Sequence, residues 1–164
     1  MQTVRIRAGR VEDAPEVAAL EACCFPSAEA ADEQTLCARL QVFAGCFWIA
    51  QLQGRIVGMV NGAVTDEQTI SDAMFEDVQL HDPEGRYQSV FGLDVHPQFQ
   101  HRGIASALMR HLIESSRQRG KHGVILTCKQ QLIPFYQQFG FACLGVSASV
   151  HGGAVWYDML LRLA

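Results

Sequence analysis

The sequence predicts a mixed α/β fold, a single domain over residues 1–164 whose sheet is mostly antiparallel with one parallel pair. Three observations lead there. Turn residues Gln53-Gly54-Arg55 separate two apolar runs, and Gly152-Gly153 separate two more, so each set reads as an antiparallel hairpin. Between the hairpins, residues 88–95, 103–119 and 124–128 read as strand, amphipathic helix and strand, a right-handed crossover whose strands pair in parallel. A chain of 164 residues is also long enough to bury a continuous core without disulfides or metals.

Each element has a local cause. Val4-Arg5-Ile6-Arg7 alternates as a first strand does. In residues 13–25, Val17, Leu20, Glu21 and Cys24 recur at helical offsets, and Pro15 falls in the first turn, where its missing N–H costs nothing. Residues 33–43 form a second helix, and residues 47–52 and 56–64 the first hairpin. Residues 65–86 lack a period and carry Asp66, Glu67, Asp72, Glu76, Asp77, Asp82 and Glu84; they read as an acidic loop with room for one short helix. Ile104, Ala107, Leu108 and Leu112 make the apolar stripe of the main helix, which Gly120 ends. Residues 132–139 form a short helix stopped at Gly140.

Composition narrows the function. A formal net charge of −4 and a pI near 5.8 argue against nucleic acid, where a basic stripe would supply most of the affinity, and in favour of a small-molecule partner. Cys23, Cys24, Cys37, Cys46, Cys128 and Cys143 form no C-x-x-C pair and have no histidines at zinc spacing, so no metal is expected and most read as small core residues in a reducing cytosol. Arg5, Arg7 and Arg10 precede no apolar stretch, and no window reaches membrane-spanning length. The expectation is a cytoplasmic protein, monomer or homodimer, with no membrane contact.

The most informative segment is Gln100-His101-Arg102-Gly103-Ile104-Ala105, between a strand and a helix. The first N–H groups of a helix have no intrahelical acceptor and the dipole makes that end positive, so a phosphate is favoured there. Gly103 and Ala105 leave the backbone open, while His101 and Arg102 add donors and charge. The spacing is neither the P-loop, which needs Gly-Lys-Ser/Thr, nor the three-glycine dinucleotide fingerprint.

Gln-x-x-Gly-x-Ala resembles the coenzyme A pyrophosphate loop of the GNAT N-acetyltransferase superfamily. Leu93-Asp94-Val95-His96-Pro97 is similar to the strand before that loop, and Tyr136-Gln137-Gln138-Phe139-Gly140-Phe141 to the superfamily's Tyr-x-x-x-Gly-Phe signature. Within the superfamily, the residues from Leu132 to Phe141 and the tail from Gly145 to Leu161 most resemble arylalkylamine (serotonin) N-acetyltransferases. The resemblance implies the GNAT acyl-CoA N-acyltransferase fold, with the parallel pair splayed at the coenzyme site. It implies acetyl-CoA as co-substrate and direct attack by a neutral primary amine, a small amine with arylalkylamines among the candidates.

That chemistry assigns roles. Backbone groups of Leu93, Asp94 and Val95 would meet the pantetheine arm and the acetyl carbonyl while the side chains of Leu93 and Val95 face the core, and the amides from His101 through Arg102, Gly103, Ile104 and Ala105 to Ser106 would hold the diphosphate. Tyr136 is the matching general acid, since a phenol with a pKa of about 10 keeps its proton at neutral pH; packing against Phe135 and Phe139 is its plainer role. The strand positions that hold histidines in vertebrate serotonin acetyltransferases are Ser89 and Phe91 here. Phe25-Pro26-Ser27-Ala28-Glu29-Ala30-Ala31 is instead similar to a first-loop phrase of microbial and insect relatives, which makes Glu29 the candidate base, weak at a pKa of about 4.3 unless burial or water assists. Phe25, Pro26 and Phe91 would wall the amine's apolar part. The alternatives are acetylation of a peptide N-terminus or lysine, and a coenzyme A-binding module without turnover.

Overall fold

The structure is a computed structural model and describes residues 3–163. In chain order the elements begin β1 (Arg5–Ala8), α1 (Ala14–Cys24), α2 (Glu33–Phe43), β2 (Phe47–Leu52), β3 (Arg55–Asn61), β4 (Val64–Thr65) and α3 (Asp72–Glu76). They continue with β5 (Tyr87–Val90), β6 (Gly92–Val95), α4 (Ile104–Gln118), β7 (Gly123–Cys128), α5 (Ile133–Gln137), β8 (Ala142–Val146) and β9 (Tyr157–Arg162). The chain forms two compact units. One contains the residues up to Gly62 together with Gly92–Leu112, the other Ala63–Phe91 and the residues from Ile113 onward.

The first unit holds an antiparallel sheet in the order β1-β2-β3-β6. Its hairpin turns at Gln53 (φ 52°) and Gly54 (φ 79°), two consecutive left-handed residues whose twist matches that of the flanking strands. Helices α1 and α2 cover one face. Val17 and Leu20 from α1 and Leu36 and Leu40 from α2 meet Phe47, Ile49, Ile56 and Met59 of the strands, each burial contributing about 1.5–3 kcal/mol against exposure. Asp32 accepts the Thr35 N–H at 2.8 Å and so caps α2. Ile104, Leu108 and Leu112 of α4 are buried as the apolar stripe required, and Ala107 is half-buried.

The second unit has a five-stranded sheet in the order β4-β5-β7-β9-β8. Its one parallel pair is β5 with β7, from Tyr87↔Gly123 to Val90↔Leu126. Ile70, Met74, Tyr87, Ile125 and Leu160 form a core cluster there, with Phe75 and Phe91 against it.

Three expectations need correction. Residues 88–95 are two strands: β5 pairs in the second unit's sheet and β6 in the first unit's, so the expected single mixed sheet is two sheets. An apolar run shows extension and burial but not its partner strand, and the partner changes at Phe91. The final hairpin is real, but the turn between β8 and β9 spans residues 147–156 and contains a 3-10 turn at His151–Gly153. Only Cys46 and Cys128 of the six cysteines are fully buried; Cys24 and Cys37 are half-buried, and Cys23 and Cys143 are exposed.

One ion pair ties β1 to the start of α1. Arg7 donates to both oxygens of Asp13, at 2.8 and 2.9 Å, and Asp13 also accepts the Arg10 N–H at 2.8 Å. Burial alone would raise the Asp13 carboxyl, but the Arg7 and Arg10 hydrogen bonds outweigh it and hold it below the ordinary range. Asp13→Asn should cost about 1.5–3 kcal/mol in urea denaturation at neutral pH. Because the folded-state pKa is depressed, this contribution is present above the unfolded value and is lost as pH falls through the folded one. The gap between wild type and variant should therefore close in strong acid; a gap independent of pH would show that the pair is not ionic.

Candidate active site

Strand β6 ends its sheet, with Gly92, Leu93, Asp94 and Val95 opposite Asn61, Val60, Met59 and Gly58. Its outer row of backbone groups therefore has no ladder partner within that sheet. The side-chain pattern reverses the expectation: Leu93 and Val95 are half-buried, while Asp94 is fully buried. The reason is the face it shares with α1 and α2, where Glu21 and Arg39 stand.

After β6 the chain makes a 3-10 turn, Pro97–Phe99, in which His96 Nδ1 accepts the Gln98 N–H at 3.1 Å. His101 (φ 63°) and Gly103 (φ 81°) then take left-handed conformations before α4 begins. The Ala107 N–H donates to Gly103 O at 3.0 Å, so the N–H groups of the preceding turn lie outside the helical ladder. Its chain neighbours aside, no atom of the described residues comes within 4 Å of where a Cβ on Gly103 would stand; glycine is needed there for its backbone, not for space. His101 and Arg102 are exposed.

Two residues that sequence reasoning missed join this loop. The guanidinium carbons of Arg55 and Arg102 lie 5.3 and 5.2 Å from the Phe99 ring centre, and Arg55 Nη2 is 3.3 Å from His96 Nε2. Two cations sharing one ring make this surface positive. Arg55 is the first residue of β3, just after the hairpin turn, and nothing in its local sequence points to residues 99–102.

In the same unit, Phe25 ends α1 and is half-buried, Pro26 is exposed, and Glu29 is half-buried in a turn whose Glu29 N–H donates to Pro26 O at 2.9 Å. Beneath lies a buried polar group: Glu21 of α1, Arg39 of α2, Asn61 of β3 and Asp94 of β6. Arg39 Nη1 donates to Asn61 Oδ1 at 3.0 Å, and the Ala31 N–H donates to Glu21 Oε2 at 2.9 Å. Burial, then the neighbouring Glu21, push the Asp94 carboxyl well above the usual range. Burial brings Arg39 down to about 10 against the pull of Glu21 and Asp94, which leaves it charged at neutral pH. The signal was present in the sequence: Glu21 and Arg39 sit on the apolar faces of consecutive helices, and charges there require partners.

The Cys24 thiol contacts Val95 O at 3.4 Å, and burial with the fields of Asp94 and Glu21 pushes it up to about 12. It is held as a thiol and is not an activated nucleophile.

The second unit contains Tyr136 and Phe91. Tyr136, on α5, is buried with ring contacts to Phe135 at 5.1 Å and Phe141 at 5.8 Å. Phe91 packs on Phe75 at 5.1 Å. Ser89 is buried and donates from Oγ to Ala63 O at 2.7 Å, and Phe91 packs against the second unit's core cluster, so these two positions hold a structural hydroxyl and an apolar ring.

The Acetyltransferase (GNAT) family profile matches residues 14–141, which include β6, the loop and Tyr136. The chain belongs to the GNAT acetyltransferase family. Serotonin N-acetyltransferase of Mesocricetus auratus is 30% identical over 112 residues, 68% of this chain and 53% of that protein. Human N-acetyltransferase 8 is 30% identical over 105 residues, 62% of this chain and 40% of that protein. The chain thus spans about half or less of the length of these relatives. Among solved structures, a GNAT-like decarboxylase in complex with isobutyryl-CoA superposes with a TM-score of 0.86 at 21% identity, over 98% of this chain and all of that one, a likeness of fold.

Gly103→Val should force a β-branched residue into a left-handed conformation, at a cost of about 1–2 kcal/mol, and turn the free N–H groups away. Coenzyme A affinity measured by calorimetry should fall at least about tenfold. Unchanged affinity would remove the loop as the diphosphate site.

Proposed function

We propose that the protein is an acetyl-CoA-dependent N-acetyltransferase that moves an acetyl group to a primary amine, a small amine with arylalkylamines within its range. The observation carrying this reading is the succession from Gly92 to Ser106: an open strand edge, two left-handed residues and an uncapped helix start, inside the segment that matches the GNAT family. A ligand with amides along an arm and a diphosphate at its end presents acceptors in that order. Arg55 and Arg102 add charge suited to its phosphates.

In this reading the amine attacks the thioester carbonyl directly. The C–N bond forms, the C–S bond breaks, the amine nitrogen loses a proton and the sulfur gains one. Cys24, held as a thiol, supports attack without an acyl-cysteine intermediate. The backbone of Leu93, Asp94 and Val95 serves the acetyl oxygen, and Tyr136 serves the departing sulfur. Glu29 is the carboxylate assigned to the amine's proton, and Phe25, Pro26 and Phe91 are assigned to its apolar part. The chain is taken as one functional domain acting in the cytoplasm, with no metal in the reaction.

A thiol-release assay with acetyl-CoA and a panel of arylalkylamines, polyamines and peptide N-termini tests the activity. Release only with peptides would transfer the acceptor to the protein class; binding of acetyl-CoA without release would leave a binding module. Tyr136→Phe keeps the ring and should lower the rate of the chemical step about 10²- to 10⁴-fold. A normal single-turnover rate would make Tyr136 packing only. Glu29→Gln should lower turnover most with strongly basic amines and at low pH, where more of the substrate is ammonium, with acetyl-CoA affinity kept. Full activity across the pH profile would assign the proton to solvent.

A further inference from the structure

We propose that Glu21 and Asp94 carry one proton between them and act as a positioning unit that fixes the first loop, residues 25–31, to strand β6. The proposal rests on the acetyltransferase reading for the roles of loop and strand, acceptor on one side and thioester on the other.

Glu21 faces both ways. Its Oε2 accepts the Ala31 N–H at 2.9 Å, at the end of the loop that carries Phe25, Pro26 and Glu29. Its other oxygen belongs to a cluster at Gly92: a Cβ there would stand 3.2 Å from Asp94 Oδ1, 3.7 Å from Glu21 Oε1 and 3.9 Å from Asn61 Nδ2. Glycine lets these groups converge directly against the strand backbone. Taken as two carboxylates, neither Asp94 oxygen has a donor; with one proton on the pair, the contact between Glu21 and Asp94 becomes a hydrogen bond.

Charge requires that proton. Among the described residues, the groups facing the pair are Cys24 from α1, Arg39 from α2 and Asn61 from β3. Two carboxylates against the single cation of Arg39 would leave a buried net charge, and one shared proton makes the cluster neutral. Asp94 is 0% exposed and Glu21 6%, so when the proton leaves at alkaline pH, Glu21 is the partner able to turn toward water. Turning releases the Ala31 N–H and loosens the loop. The pair works through the loop, as positioning residues do.

The test compares wild type, Asp94→Asn, Glu21→Gln and Glu21→Ala from neutral to alkaline pH. Acetyl-transfer kinetics are expressed per neutral amine, and hydrogen exchange at the Ala31 amide is measured in the same proteins. In wild type the amine KM should rise about tenfold toward alkaline pH as Ala31 protection falls, with kcat and acetyl-CoA affinity steady. Asp94→Asn and Glu21→Gln each replace the shared proton by a permanent amide donor, so both should lose the alkaline rise, and Glu21→Gln should also keep a neutral-pH KM. Glu21→Ala should raise the amine KM at every pH without weakening coenzyme binding.

Stability gives a further readout. A raised folded-state pKa on an acid means that the folded protein binds the extra proton, so wild-type stability falls as pH climbs from the ordinary carboxylate range to the folded value. Asp94→Asn should gain on wild type over that range. An unchanged alkaline rise in Asp94→Asn or Glu21→Gln, or Ala31 protection indifferent to Glu21→Ala, would overturn the proposal. Absence of acetyl transfer to every amine, with the Ala31 and stability responses as expected, would sink the acetyltransferase reading and leave the pair standing.

Discussion

The outer edge of β6 is the constraint on which the candidate site depends. A terminal strand presents a row of N–H and C=O groups that must find partners outside its sheet, and proteins usually shorten or cover such edges. Here the strand is four residues long and is followed by a proline turn and a helix start whose own N–H groups are also outside the ladder. Open backbone groups therefore stand at both ends of the segment from Gly92 to Ser106, on the strand edge and at the helix start, while the turn between them closes on itself through the Gln98 and Phe99 N–H groups. Because β3 fixes the register of β6 and α4 is anchored through Ile104, Leu108 and Leu112, those open groups are held by the core, not by a mobile loop.

The same strand carries a second demand, since its central side chain is a buried acid. A small apolar residue opposite Met59 would satisfy packing with less desolvation, and replacing buried ion clusters by apolar groups often leaves stability equal or higher. What an apolar residue could not do is engage Glu21, which in turn accepts the Ala31 N–H. The first loop starts where α1 ends, at Phe25, and the polar cluster attaches its far end to the strand. Loop and strand are joined by chemistry that packing alone would not specify.

Much of the fold was legible because its signals are local. The α1 and α2 patterns, the Gln53-Gly54 turn, the stripe of α4 and the glycine stops at Gly120 and Gly140 each depend on residues within a few positions of one another. The start of α4 just after Gly103 was legible for the same reason. The division of residues 88–95 was not, because strand partners are set by distant chain: β7 for one half and β3 for the other. Arg55 beside Phe99 was equally hidden, joined across more than forty residues by the pairing of β3 with β6. The reversed burial of β6 was half legible. Asp94 lies in the motif read for its backbone and Glu21 among the helical offsets of residues 13–25, while Arg39 lies in the second helix with no pattern read for it; pairing them needed the question of what neutralises each buried charge.

Proton accounting in the proposed reaction separates the carboxylates. Direct attack takes one proton from nitrogen and delivers one to sulfur, so the base must stand ready without its proton and the acid with it. Asp94 is poorly suited as the base: burial and the neighbouring Glu21 push its carboxyl well above the usual range, and it is fully buried. Glu21 is committed to the Ala31 N–H and to its contact with Asp94 inside the core. Ser89 spends its hydrogen on Ala63 O and Phe91 has none to give. In the proposed mechanism Glu29 is the carboxylate assigned to the amine, with water as its competitor. Cluster and loop then divide the work of that proposal: one holds the backbone still, and the other meets the acceptor.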